Sequence, residues 1–175
     1  MLQGNALPWD DAKGAAEATR LFERAIAIDP GYGFAHALLA VMRYREWCND
    51  LGGSDGVALD ESYRLAQRAV ELADNESTCF SILGQVCVLR RSFDLGLQHM
   101  QRAIEINVTN QWNTADMGNV LCHVGRAEEA VAWFKRARQI DPYFDPAWYW
   151  HGLGRAHLML HRHEEAVAEF ERASA

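Results

Sequence analysis

The sequence predicts an all-α fold made of repeated helical hairpins, and two observations carry this prediction. First, Ala130, Phe134 and Ala137 lie four and three residues apart, on one face of a helix that Pro142 ends. Second, equivalent positions recur at a fixed interval, since Ala103 precedes Ala137 by 34 residues. A helical pattern that returns at an interval of this size indicates a solenoid of stacked units.

The same pattern appears in other parts of the chain. Further residues that fit this pattern, on the second helix of a unit or at the proline that ends it, are Ala18, Phe22, Ala25, Pro30, Ala166 and Phe170. Glycines recur on the preceding helices, at Gly84, Gly118 and Gly154. These small residues let the two helices of a unit approach closely. One hairpin alone cannot bury its apolar face, so we expect stability to be shared between adjacent units.

This pattern resembles the tetratricopeptide repeat. That family has units of 34 residues with two helices each, marked by an aromatic, Leu-Gly, Ala, a large aromatic, Ala and Pro. Leu83 and Met117, which precede Gly84 and Gly118, are also 34 residues apart. The resemblance covers nearly all of residues 1–175. It implies one array that forms a right-handed superhelical solenoid of antiparallel helix pairs.

The first unit, 1–30, is predicted to be partial. Its second helix runs from about Lys13 to Ile28 and ends at Pro30, whereas residues 1–6 provide only a stub of a first helix. The start of the chain lacks the basic and apolar regions of a secretory signal. Because the chain starts abruptly, we expect it to be a fragment of a longer protein.

The second unit, 33–74, is predicted to contain an insertion at about 47–57. Ala40 and Ser62 are 22 residues apart, whereas Gly118 and Ala130 are 12 apart, so the connector holds ten extra residues. The insertion is rich in Gly and Asp, which is typical of an exposed loop. Its helices are expected at about Phe34–Trp47 and Ala58–Leu72.

The last three units are expected at 77–110, 111–144 and 147–175. The middle one is the most regular. The unit before it has Arg90-Arg91-Ser92 in a turn that usually contains a glycine, and it ends in Asn107-Val108 in place of Asp-Pro. The last unit is displaced by two residues, Asp145 and Pro146.

Composition and charge exclude several classes of protein. The net charge is −7, with 24 acidic against 17 basic residues, which disfavours nucleic acid or an anionic membrane as the partner. No apolar run reaches the length of about 18 residues typical of a membrane span. The four cysteines have neither zinc-site nor disulfide spacing, so they are predicted to be buried thiols of a cytoplasmic protein. The preference for Arg over Lys hints at a bacterial source.

No catalytic motif is present, so we expect no enzymatic activity and no cofactor. The densest polar cluster is formed by His151, His157, His161 and His163. His157 and His161 have the spacing of a helical metal pair, but their segment offers no Cys or carboxylate to complete a site. No metal site is therefore predicted.

The resemblance implies that the first helices line a concave groove that binds a peptide. Matching the family's groove positions gives Phe34, Tyr44, Gln85, Trp112, Asn119, Trp148, His151 and Arg155. The family's clamp for a C-terminal carboxylate places Lys near an Asn. Here Ala115 takes the Lys position beside Asn119, which leaves Arg155 as the residue that can anchor a carboxylate. The aromatic residues favour an apolar or amphipathic segment.

The predicted function is a non-catalytic protein–protein interaction module. Two alternatives remain open. Residues 21–41, with RAVELA at 68–73, look like the C-terminal repeat regions of bacterial adenylate or guanylate cyclases and of some winged-helix regulators, which implies a regulatory part of a larger protein. The exposed edge around Val167 and Phe170 suggests a homodimer, and hence a homo-oligomeric scaffold.

Overall fold

The computed structural model describes residues 12–49 and 56–174. Within these ranges the chain forms helices joined by short turns. Their bounds are α1 Ala12–Ile28, α2 Gly33–Asn49, α3 Val57–Leu72, α4 Ser77–Leu89, α5 Phe93–Ile106, α6 Gln111–His123, α7 Ala127–Ile140, α8 Ala147–Met159 and α9 His163–Ala173. The predicted stub at 1–6, and residues 50–55 of the predicted insertion, lie outside the described residues.

The helices form antiparallel pairs that stack into an all-α solenoid. The tightest pairs are α2 with α3, α4 with α5, α6 with α7, and α8 with α9. We call α2, α4, α6 and α8 the first helices, and their partners, together with α1, the second helices. Successive first helices contact one another, whereas no two second helices do so among the described residues. The array therefore curves with its first helices on the inside.

Close contacts within each pair explain the repeated glycine and phenylalanine. A Cβ atom on Gly118 would lie 2.9–3.0 Å from three ring atoms of Phe134, and one on Gly154 would lie as near to Phe170. Met100 takes the place of the phenylalanine opposite Gly84. Each of these first helices thus rests directly on one large side chain of its partner.

The connectors between units use a shared turn. The side chains of Asp29, Asn107 and Asp141 each accept a hydrogen bond from the backbone N–H two residues later, at 3.0–3.2 Å. Such a turn needs a carboxylate or amide oxygen and does not need the proline that follows. The Asn107-Val108 ending therefore preserves the connector.

The turns inside three of the units require a left-handed residue. Arg91, Gly125 and His161 have φ angles of 63°, 82° and 58°. In each turn the next N–H bonds to a carbonyl five residues earlier, which is the Schellman motif that ends a helix. Glycine adopts this conformation without strain, whereas arginine and histidine do not.

Arg91→Gly is accordingly expected to raise the free energy of unfolding by about 0.5–1 kcal/mol, since relief of strain outweighs the added entropy of the unfolded chain. Ser92→Gly is the matched control, because Ser92 has a φ of −88° and gains nothing from glycine. Urea denaturation of the two variants checks this. Equal effects of the two substitutions would contradict the prediction.

None of the helices in the described part of the chain is long and apolar enough to cross a membrane.

Candidate functional site

The predicted groove residues all lie on first helices. Phe34 and Tyr44 belong to α2, Gln85 to α4, Trp112 and Asn119 to α6, and Trp148, His151 and Arg155 to α8. We call the surface that these four helices share the inner face. It contains an aromatic part, a basic part and an acidic part, which differ in how the chain positions them.

The aromatic part is formed by Trp112, Phe144 and Trp148, which we call the aromatic ledge. The two indole rings have centroids 5.9 Å apart, and the Phe144 ring meets the Trp112 ring edge-on at 4.9 Å. Phe144 is buried in the connector before α8 and supports both indoles. Trp112 remains 49% exposed. The structure thus joins two predicted residues into one apolar surface.

Asp145, part of the two-residue displacement, holds the connector below this ledge. Its carboxylate accepts a hydrogen bond from Trp150 Nε1 at 2.8 Å and forms an ion pair with Arg138 at 3.4 Å. Arg138 also donates to the carbonyl oxygen of Phe144 at 3.2 Å. The displacement therefore positions Phe144 as well as shifting the register of the last unit.

The basic part is formed by Arg155 on α8, which reaches across to α6. Its guanidinium donates to Asn119 Oδ1 at 3.2 Å and to His123 Nε2 at 3.5 Å. Loss of hydration around the ring lowers the pKa of His123, and the charge of Arg155 lowers it further. His123 is consequently neutral near pH 7 and accepts the bond. The sequence predicted Arg155 and Asn119, but not their contact or His123.

The acidic part contains Asp116, which the sequence analysis missed. Asp116 Oδ2 on α6 accepts a hydrogen bond from Ser81 Oγ on α4 at 2.9 Å. Burial raises the pKa of Asp116 to about 7, although the Ser81 bond opposes this rise. The sixth residues of the first helices are Leu38, Ile82, Asp116 and Gly152, and we call these four positions the seam column. Alignment of the units places this acidic residue at a position where two other units bury Leu38 and Ile82. That contrast could have identified Asp116 from the sequence.

The raised pKa of Asp116 predicts how stability depends on pH. The folded chain retains this proton up to about pH 7, whereas an unfolded chain loses it near pH 4. The contribution of Asp116 to stability is therefore complete below about pH 4 and is lost as the pH rises toward 7. The Asp116→Asn variant cannot ionise at this position and so avoids this loss. We expect its free energy of unfolding at pH 8 to exceed that of wild type by on the order of 2 kcal/mol.

Urea denaturation of both proteins from pH 5 to pH 8 measures the difference, and comparison with Asp116→Asn cancels the other carboxylates. If the difference in free energy of unfolding between the two proteins did not change from pH 5 to pH 8, the raised pKa assigned to Asp116 would be wrong.

The glycine in the seam column is a second residue that the sequence analysis missed. A Cβ atom on Gly152 would lie 2.5 Å from Asn119 Oδ1 and 2.6 Å from the Phe134 ring. Glycine at this position lets α8 approach α6, and so allows Arg155 to reach Asn119. The flanking Tyr149 hydroxyl donates to the Phe134 carbonyl oxygen at 3.0 Å.

The remaining predicted groove residues lie toward the ends of the array. Phe34 is half-buried and packs beside Tyr32, with ring centroids 6.4 Å apart. Tyr44 packs partly buried against the core between α2 and α4, and Gln85 is half-buried on α4. His151 is exposed, and its ring lies 5.9 Å from that of Phe170 on α9, at the last pair of helices.

The histidines and cysteines differ in burial. His157 is only 7% exposed, whereas His161 lies in an exposed turn. Within the described ranges, no group of three or more His, Cys, Asp or Glu side chains is placed to hold a metal. Three cysteines are buried, and burial raises the pKa of Cys87 to about 11. The prediction of burial is wrong for Cys48, which is exposed near the end of α2.

Comparison with known proteins supports the repeat pattern. Residues 110–175 match the family model described as tetratricopeptide repeat. No curated protein matches the sequence.

Solved structures share the fold at low sequence identity. One is TTC0263, a thermophilic TPR protein of Thermus thermophilus, with 19% identity and a TM-score of 0.74 over 92% of this chain and 82% of that one. MamA has 18% identity and a TM-score of 0.58, over 99% of this chain and 93% of that one. YrrB, described as a TPR protein with an unusual peptide-binding site, has 19% identity and a TM-score of 0.54, over 97% and 80%. The tetratricopeptide repeat pattern is thus matched at 110–175, and the fold of these repeat proteins extends over the described residues.

Proposed function

We propose that the array is a non-catalytic interaction module that binds a segment of another protein on its inner face. The observation that carries this proposal is the aromatic ledge, where Trp112 is 49% exposed although it stands on two other aromatic rings. A rigid, exposed indole beside polar groups is the kind of residue that contributes most to binding energy in protein interfaces.

The chemistry around the ledge favours an amphipathic segment. Apolar side chains of the segment would cover Trp112 and Trp148, while Arg155 and Asn119 offer donors to its carbonyl or carboxylate oxygens. YrrB, whose own peptide-binding site is described as unusual, is a precedent for peptide recognition by this fold.

The test compares proteins captured from a cell lysate by wild type and by Trp112→Ala combined with Arg155→Ala. Loss of a central indole weakens binding by about 2 kcal/mol or more, which is about 30-fold, so the captured partners should disappear from the double variant. Phe93→Ala is the matched control, because Phe93 is 41% exposed but starts α5, which does not line the inner face. Identical capture by all three proteins would refute the proposal.

A second candidate is self-association through α9. Val167 on this helix is 56% exposed and Phe170 is half-buried, although both occupy the helix face toward which a further unit would stack. In this case light scattering should show a dimer that Val167→Glu converts to monomer. A monomer of wild type at high concentration would exclude this candidate.

A further inference from the structure

We infer that Asp116, together with Ser81 and Tyr44, forms a subsite of the inner face that receives a basic side chain of the bound segment. The inference rests on the proposed function, and it adds the charge of the residue that is recognised. It begins with the position of Asp116 in the seam column. Leu38 and Ile82 are 5% and 4% exposed there, so two other units bury an apolar side chain at this position.

Among the residues that the structure describes, none supplies a cation to this carboxyl group. Asp116 Oδ2 accepts the Ser81 hydroxyl at 2.9 Å, and no residue within 12–49 or 56–174 forms an ion pair with it or engages Oδ1. The side chain is only partly buried. A partly buried carboxylate without a cation is costly to ionise, and a cation brought from outside removes that cost.

On α2, the titratable and charged groups near Asp116 are Tyr44 and Arg45. From α2, the Tyr44 phenol lies near enough for the Asp116 charge to raise its pKa, after a larger effect of burial. Tyr44 therefore stays protonated, and the hydroxyl and ring of a phenol group both suit an ammonium or guanidinium group. Arg45, beside it, acts on the pKa of Tyr44 in the opposite direction.

The other adjoining helices contribute no competing charge. From α4 and α5, the groups at this site are the Ser81 hydroxyl and Met100 Sδ, which lie 3.7 Å apart. From α7, Phe134 packs beneath α6 at Gly118. From α8, the Arg155 guanidinium is directed to Asn119 and His123. The acidic and basic parts of the inner face are thus separate, each able to bind its own partner group.

Recognition of a basic side chain by Asp116 would be linked to a proton. The carboxyl must ionise to pair with the cation, and its pKa is about 7 before binding. Affinity should therefore rise as the pH increases from 6 to 8, by up to about tenfold per pH unit below the pKa, and level off above it. A carboxyl that served only to join α4 to α6 would give no such profile.

The probe for the test is a phage-displayed library of random dodecapeptides, selected at pH 8 on the wild-type chain. We expect the selected peptides to require Trp112, to share a Lys or Arg, and to bind Asp116→Asn at least about tenfold more weakly. Asp94→Asn is the matched control, since Asp94 is exposed on α5. Replacing the shared basic residue by Met should weaken binding to wild type and abolish the rise between pH 6 and pH 8.

The outcomes separate the two proposals. Peptides that require Trp112 but carry no basic residue and bind Asp116→Asn normally would overturn the subsite and leave the proposed function standing. No selected peptides, or peptides indifferent to both Trp112→Ala and Asp116→Asn, would overturn both. Circular dichroism of Asp116→Asn confirms that weaker binding does not result from unfolding.

Discussion

Phe134→Ala is expected to lower the free energy of unfolding by about 3–5 kcal/mol. Phe134 is fully buried, and its ring lies against both Gly118 and Gly152, so it supports two first helices at once. It also meets the Tyr149 ring edge-on, with centroids 5.4 Å apart. Its removal leaves a cavity shared by α6, α7 and α8, which the rigid helices cannot close.

The matched control is Phe170→Ala, which changes the same position of the last unit. Phe170 covers Gly154 but is only half-buried, and no further first helix packs on its other side within the described residues. Its loss should therefore be clearly smaller. Urea denaturation of the two variants measures both values, and equal losses would show that Phe134 does not bridge adjacent units.

Ala130→Glu is expected to destabilise the chain by at least about 3 kcal/mol and to leave much of it unfolded at about 37 °C. Ala130 is fully buried between α6 and α7, so the new carboxylate would lack both water and a partner, and its extra volume would separate the two helices. The unit carrying Ala130 lies inside the array, and its disruption removes an interface on each side.

Ala132→Glu provides the control on the same helix, because Ala132 is exposed two residues away. It introduces the same side chain on the exposed face of the same helix, and it should change the free energy of unfolding by less than about 0.5 kcal/mol. Thermal unfolding followed by circular dichroism distinguishes the two. If the Ala130→Glu and Ala132→Glu variants unfolded at the same temperature, the assignment of Ala130 to the buried face would be wrong.

Periodicity in the sequence was sufficient to predict the helices and their pairing. The second helix of the first unit was expected at about Lys13 to Ile28 and is found at Ala12–Ile28. The close approach of α6 to α7 at Gly118 also followed, because this glycine belongs to a local pattern within one unit. The division into units, the groove residues and the resemblance to cyclase repeat regions stay predictions.

The composition of the inner face was harder to predict, because it depends on contacts between units. Trp112 and Trp148 were predicted as separate positions, yet they meet through Phe144, which a displaced connector brings beneath them. The pairing of Ser81 with Asp116 joins residues 35 apart on different helices. No periodicity within one helix encodes such contacts, since they arise only after neighbouring units have packed.

The seam column has a consequence for the curvature of the solenoid. Ile82 packs in the core shared by α2, α3 and α4, whereas Gly152 lets α8 approach where any side chain would collide with Asn119 and Phe134. Small differences in approach add up along a repeat array and set its radius. The spacing of successive first helices therefore depends on the residue at this position of each unit, and at Asp116 the same position also contributes a polar group to the inner face.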